Sequence, residues 1–328
     1  MKLLSLFSGI GAFEKALERL GINYTLVNYC EVDKYASKAY SLIHNVPESL
    51  NLWDITKVNE DELPYCDMIT YGFPCVDISI SGRKAVLIDE EGNKTRSGLV
   101  FDALRIIKAT NPKYAVCENV KNLTGKKFTR EFNYILDCLN EMGYNNYWKV
   151  LNAADYGIPQ RRERVFIISI RKDIDKGFNF PAPFPLTKSL KDVLENEVED
   201  RYFMRDDKVK DYIKHFKSVT PYGTEKDGTC RTIKANYYKT SQANFLQNDD
   251  RIATGVVVPQ LTELTSGMPQ AKRVYDVNGL SVTLKGEAGG LGARTGLYKI
   301  ENKIRKLTPK ECFRLMGFEV RDIELCKG

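Results

Sequence analysis

Leu3-Leu-Ser-Leu-Phe-Ser-Gly-Ile-Gly-Ala-Phe13 begins as an apolar run, passes two glycines and enters a segment with apolar residues at 13, 16, 17 and 20. Residues 2 to 7 read as a short buried strand, Ser8 to Gly11 as a tight turn, and Phe13 to Leu20 as a helix. Such a turn lets backbone N–H groups at a helix start approach a ligand closely. The full G-x-G-x-x-G pattern is missing, so the turn alone does not name that ligand. The unit then repeats. Strands are predicted at Tyr24 to Cys30, Asp67 to Tyr71, Tyr114 to Cys117, Tyr147 to Leu151 and Val165 to Ile170. Helices are predicted at Leu99 to Thr110 and Phe128 to Met142, the latter closed by Gly143. Strands alternating with helices predict an open α/β sheet.

The 328 residues, 43% hydrophobic and 28% charged, suit one large domain and a smaller one in an ordinary globular composition. Eight cysteines without a C-x-x-C pair, and only His44 and His215 beside them, argue against a zinc site and for reduced thiols in a cytoplasm. Ser8-Gly9 and Glu14-Lys15 break the N-terminal apolar run before it can act as an export signal. No stretch approaches the roughly 20 apolar residues of a membrane span. Residues 220 to 315 hold 15 Lys and Arg against 9 Asp and Glu, which is the chain's whole excess of +6. Basic charge gathered in one segment suits a polyanion, although a solvated face shows the same pattern.

Side chains with chemistry stand at the ends of the predicted strands. Gly72-Phe-Pro-Cys75 follows the third strand. Gly72 permits a sharp turn and Pro74 stiffens it, so Cys75 would emerge at the lip of the sheet, where open α/β sheets place ligands. Most free cysteines are only small buried hydrophobes. Glu31 follows the second strand, twenty residues after Gly11, where an acid accepts from ribose hydroxyls; Asp54 repeats the arrangement one unit later and suits an adenine amine. Either carboxylate would also serve as a helix cap. Glu118-Asn119-Val120 presents another acid beside the Cys75 loop. Ser79 to Arg96 is long enough for a lid. Gly157-Ile-Pro-Gln-Arg-Arg-Glu-Arg164 sets three arginines before the most apolar strand, and planar guanidinium groups suit an anion or a base edge. Phe180-Pro-Ala-Pro-Phe-Pro185 marks a boundary. Beyond it come short β-like pieces with glycine turns, including an echo of Gly228 to Ala235 at Gly279 to Gly286. Thr308-Pro-Lys-Glu-Cys-Phe-Arg-Leu-Met-Gly317 reads as a capped helix.

Taken in order, Phe7-Ser-Gly-Ile-Gly-Ala-Phe13, Gly72-Phe-Pro-Cys75, Glu118-Asn-Val120, Gln160-Arg-Arg-Glu-Arg164 and Arg305-Lys-Leu-Thr-Pro309 resemble the cytosine-C5 DNA methyltransferase family of bacteria and phages. The resemblance covers nearly the whole chain. It implies a Rossmann-like S-adenosylmethionine-dependent domain at 1–180, a smaller, mainly β target-recognition domain at 181–305, and a return helix at 306–328 packing on the first. It implies Cys75 as nucleophile, with Glu118, Arg162 and Arg164 around the target cytosine. Cofactor contacts would fall to Phe7, Gly9, Gly11, Glu31, Asp54, Pro74 and Leu99. Double-stranded DNA would meet Ser81, Gln270, Arg273 and Thr283. No metal is implied. The context would be restriction-modification or phage protection, in the cytoplasm of a bacterium or an infected host.

The family's last motif, a helix start with glutamine and asparagine, does not occur before Glu324-Leu-Cys-Lys-Gly328. Either the chain is truncated or a second polypeptide supplies the element, and the expectation is weakened S-adenosylmethionine binding by this chain alone; otherwise a monomer. An RNA cytosine methyltransferase, and a non-catalytic or split DNA-binding half of such an enzyme, are the rival readings. A nicotinamide dehydrogenase lacks hydride-handling residues beside the glycine turn.

Overall fold

β1 (Lys2–Leu6) buries four of its five residues, as a central strand does when parallel neighbours take both edges and helices cover the faces of the sheet. The computed structural model describes residues 1–74, 96–203, 264–265, 273–277, 280–282, 297–300, 303–305 and 307–326. β2 (Thr25–Cys30) and β3 (Met68–Tyr71) pair with β1 in parallel, and β4 (Tyr114–Val120) pairs with β3 in parallel. β6 (Glu163–Arg171) then runs antiparallel to β4, and β5 (Tyr144–Asn152) antiparallel to β6. The order is β2-β1-β3-β4-β6-β5, so consecutive strands diverge on either side of β1. That divergence opens a crevice at the carboxyl ends of β1 and β3, the usual ligand position of such sheets.

Two helices cover the sheet with apolar faces of the predicted period. α3 (Val100–Thr110) buries Val100, Ala103, Leu104, Ile106 and Ile107; α4 (Thr129–Glu141) buries Phe132, Ile135 and Leu139. These join Leu4, Leu6, Ile69, Tyr71, Ala115, Cys117, Val165 and Ile167 in one core. α2 (Lys34–His44) starts where the Asp33 carboxylate accepts from the N–H groups of Tyr35 and Ala36, and stops at left-handed Asn45.

α1 (Ala12–Arg19) departs from its sequence pattern. Its buried residues are Glu14 and Lys15, while Ala16 is exposed and Leu20 stands 72% exposed. The reason is a partner 307 residues away. Lys15 Nζ donates to Asp322 at 2.9 Å, from the short helix α6 (Val320–Leu325), and also pairs with Glu18. Glu14 accepts from the Tyr40 hydroxyl at 2.9 Å. A buried charge is tolerated where it is paired and hydrogen-bonded.

The chain divides into two compact units. The first comprises Met1–Asn152, Glu163–Ala182 and Gly317–Gly328, and holds the six-stranded sheet. The second comprises Ala153–Arg162 and Pro183–Met316. It holds a three-stranded sheet of β7 (Val274–Asp276), β8 (Leu297–Ile300) and β9 (Lys303–Arg305), with Tyr275, Val282, Tyr298, Leu307 and Leu315 in its core. Its helix α5 (Pro309–Leu315) has the predicted cap: the Glu311 N–H donates to the Thr308 hydroxyl, and the Glu311 carboxylate accepts from the Thr308 N–H. The echoed segment 228–235 and the stretch 79–95 lie outside the described residues. Among the described residues no helix is long and apolar enough to cross a membrane, and no group of three or more His, Cys, Asp and Glu is placed to hold a metal.

Candidate active site

The turn after β1 is built from left-handed residues: Phe7 (φ 54°), Gly9 (φ 55°) and Gly11 (φ 83°). The Ser8 N–H donates to the Cys30 carbonyl at 3.1 Å and the Gly11 N–H to the Ser8 carbonyl at 2.9 Å, which pins the turn to the end of β2. Glycine is required at 11 for a second reason. A Cβ there would lie 2.0 Å from Nε2 of His44, the last residue of α2. That imidazole is wedged between the Ile10 carbonyl (3.1 Å from Nε2) and the Glu18 carboxylate (2.9 Å from Nδ1), and packs on the Tyr40 ring. Nothing lies within 4 Å of a Cβ at Gly9, and the buried Ser8 hydroxyl has no hydrogen-bond partner.

Glu31 closes the other side of the turn. One carboxylate oxygen accepts from the Gly9 N–H at 2.9 Å, the other from the Asp33 N–H at 2.8 Å. A carboxylate accepts about four hydrogen bonds, so two sites remain for a ligand. Asp54 follows at the edge of the sheet, where the Thr56 hydroxyl and N–H donate to it and hold its carboxyl below the usual range.

Asn51 spaces the two acids, and the sequence reading missed it. Its Oδ1 accepts from the N–H groups of both Glu31 (3.0 Å) and Trp53 (2.9 Å). Its Nδ2 donates to the Glu31 carbonyl and the Ser37 hydroxyl, both at 2.9 Å. A buried asparagine that uses all its hydrogen-bonding capacity fixes two chain segments at once. The only sequence signal was a polar residue two positions before Trp53-Asp54. Trp53 itself is left-handed, with φ 60°, which costs a bulky residue about 1–2 kcal/mol. The Cys30 thiol donates to its carbonyl at 3.0 Å. Burial pushes that thiol up to about 12, with the charges of Glu31 and Asp54 adding to the effect, so it stays a protonated donor.

The second part of the site lies where β3 and β4 end side by side. Glu118 is a residue of β4, not the first after it as the sequence suggested: the strand continues to Val120 because β6 pairs with it along its whole length. Glu118 Oε1 meets Arg164 Nε at 3.0 Å. The neighbouring Asn119 is buried and its Nδ2 donates to the Phe73 carbonyl at 3.2 Å, tying β4 to the segment that leads into residue 75. Gly72 passes the Glu118 carboxylate closely; a Cβ there would lie 3.8 Å from Oε2. Lys121, just after β4, and Glu163, the first residue of β6, form a further ion pair at 2.7 Å.

Phe7, Gly9, Gly11, Glu31 and Asp54 are thus drawn together around the ends of β1 and β2. Pro74 continues from β3, and Leu99 sits half-buried at the start of α3, packed on the core. Arg164 joins Glu118. Arg162 belongs to the second unit, where its carbonyl accepts from the Ala153 N–H, and Arg273 precedes β7 with its carbonyl accepting from the Leu297 N–H. Cys75, Ser81, Gln270 and Thr283 lie outside the described residues.

Fold and site together define a Rossmann-like domain of the methyltransferase kind. More particularly, the chain belongs to the C-5 cytosine-specific DNA methylase family, whose model matches residues 1–321. The type II methyltransferase M.HhaI of Haemophilus parahaemolyticus is 34% identical over 322 residues, covering 97% of this chain and 84% of that enzyme. The orphan methyltransferase M.Rho11sI of Bacillus phage rho11s is 32% identical over 336 residues, covering 93% of this chain; the matched region spans 61% of that enzyme's length. Among solved structures, the S. pombe Dnmt2 methyltransferase superposes with a TM-score of 0.65, covering 98% of this chain and 88% of its own. At 17% identity that likeness speaks to the fold alone.

Proposed function

We propose that the chain transfers a methyl group from S-adenosylmethionine to C5 of a cytosine in duplex DNA. The observation that carries this reading is Glu118, ion-paired to Arg164 and set beside Gly72-Phe73-Pro74, the segment that runs straight into Cys75. Addition to a cytosine ring requires a thiol together with a carboxyl and a guanidinium; the last two are paired here, and the sequence supplies the thiol next after Pro74.

Cytosine C5 is a poor nucleophile until electrons are pushed into the ring. The Cys75 thiolate would form a bond to C6, and the displaced π pair would make C5 a nucleophile; the cofactor would supply the methyl group, its S–CH3 bond breaking with the electron pair left on sulfur as S-adenosylhomocysteine. Glu118, held by Arg164, turns its carboxyl to the ring: it accepts from the exocyclic amine, and a proton shared with ring N3 keeps negative charge from accumulating there. Arg164 serves two partners, orienting Glu118 and donating to the cytosine carbonyl; Arg162 is assigned to the target cytosine by the family resemblance alone. Loss of the C5 proton to a base and breakage of the C6–S bond then restore the aromatic ring and the thiolate.

S-adenosylmethionine, when bound, supplies a methyl group on a positively charged sulfur. The residues present fit it. The unpartnered Ser8 hydroxyl and the open space at Gly9 form a cradle, Glu31 has acceptor sites left for a ribose diol, and ionised Asp54 suits an exocyclic amine. Phe7, Gly11, Pro74 and Leu99 complete the contact set. The target base leaves the stack at a cost of a few kcal/mol; Ser81 and Gln270 fill the gap, and Arg273 and Thr283 meet the duplex. The setting is restriction-modification or phage protection, in bacterial or infected-host cytoplasm.

A duplex bearing 5-fluorocytosine, incubated with the protein and S-adenosylmethionine, tests this. The expected result is a covalent protein–DNA adduct that Cys75→Ser abolishes. Methyl transfer to RNA with none to any mixed-sequence duplex, or an adduct surviving Cys75→Ser, overturns it.

A further inference from the structure

Trp53 combines three features that packing does not explain. It keeps a left-handed backbone (φ 60°) that glycine adopts freely and a bulky residue does not. That backbone is held from both ends, by the Asn51 side chain at its N–H and by the Cys30 thiol at its carbonyl. Yet its indole stands 43% exposed and stacks on no aromatic ring among the described residues. A strained main chain, a dedicated brace and an uncovered large ring recur where a side chain is presented to a ligand.

The neighbours say which ligand. Asn51 Oδ1 accepts from the Trp53 and Glu31 N–H groups together, so one carboxamide spaces the two residues. Glu31 in turn accepts from the Gly9 N–H, and Asp54 is the next residue after Trp53. The carboxylates suited to a ribose diol and to an exocyclic amine therefore sit on the two segments that Asn51 ties together at Trp53. We infer that Trp53 is the stacking platform for the adenine ring of S-adenosylmethionine. This rests on the cofactor assigned in the proposed function and adds a binding residue to it: the two acids read the polar edge of the nucleoside, and the indole covers its face.

Trp53 and Trp148 are the two tryptophans of the chain, so Trp148→Phe leaves Trp53 as the sole tryptophan, excited selectively over the tyrosines. The experiment titrates that variant with S-adenosylhomocysteine, adenosine and methionine. The inference expects quenching by S-adenosylhomocysteine and by adenosine, and none by methionine. Calorimetry with S-adenosylhomocysteine then compares the variants at 53. Stacking of a base on an aromatic ring is lost with about a tenfold or greater rise in Kd, so Trp53→Ala and Trp53→Gly weaken binding by that factor while Trp53→Phe retains most of it. Trp53→Gly, freed of the left-handed penalty, keeps or raises the melting temperature while losing affinity, which a merely structural tryptophan would not do. Unchanged Trp53 emission together with equal affinity in Trp53→Gly overturns the stacking role and leaves the cofactor assignment standing. Absence of S-adenosylhomocysteine binding to the unaltered chain overturns the cofactor assignment itself.

Discussion

Glu118 on β4 and Arg164 on β6 meet at 3.0 Å between Oε1 and Nε, with side chains 26% and 17% exposed. β4 and β6 are antiparallel, and Val120 lies opposite Arg164, so the guanidinium reaches back along the strand pair to the acid two residues earlier. The pair is neither sealed in the core nor free in solvent, which suits groups that must meet a ligand and still be held in place.

Arg164→Ala removes both the brace on Glu118 and a donor aimed at the substrate carbonyl. Loss of one such preorganised donor costs about 10²–10³ in rate. Single-turnover methylation should slow by that factor, with a melting temperature close to that of the unaltered protein because the pair is partly solvated. Arg164→Lys keeps the charge without the planar fork and should recover only part of the rate.

Gly11→Ala sets a methyl carbon 2.0 Å from His44 Nε2 on a backbone with φ 83°. Left-handed strain of about 1–2 kcal/mol adds to the displacement of the imidazole. Urea denaturation should show a loss of at least that size. Gly11→Ala combined with His44→Ala should recover the steric part and keep the backbone part, so the two changes are non-additive.

Asp67 gives a pH signature. Its carboxylate accepts from the Lys2 N–H at 2.9 Å, from Lys113 Nζ at 2.9 Å and from the Tyr65 hydroxyl at 2.9 Å, and these donors, the Lys2 N–H first, hold its carboxyl well below the usual range. A carboxyl depressed in the folded state adds stability above its unfolded value, about 3.9, and the contribution is lost as pH falls from there through the lower folded value. Thermal melts from pH 6 down to pH 2 should therefore show the unaltered protein losing its advantage over Asp67→Asn. Curves that stay parallel across that range would contradict the assignment.

In the second unit the Arg305 guanidinium makes a bidentate pair with Glu311, at 2.7 and 2.6 Å, with both side chains almost fully buried. Glu311 also accepts from the N–H groups of Thr308 and Glu195. Arg305→Ala leaves an uncompensated buried acid and should destabilise the unit by about 3–5 kcal/mol. Arg305→Met paired with Glu311→Leu removes both charges and should cost much less, as read by chemical denaturation.

Sequence by itself determined the elements: apolar periods placed the strands and α3 and α4 within a few residues, and the glycines of 9 and 11, the acids at 31, 54 and 118 and the proline-capped helix at 309 were all legible. These are local properties, set by φ preferences and by which face of a short segment is greasy. Tertiary structure alone decided which polar groups became interior. Lys15 is buried because Asp322 comes back to it, His44 because a glycine left it room, and Asn51 because the end of β2 and the turn at Trp53 share one carboxamide. No periodicity announces such partners, because each is stabilised only after distant segments have already been brought together by packing.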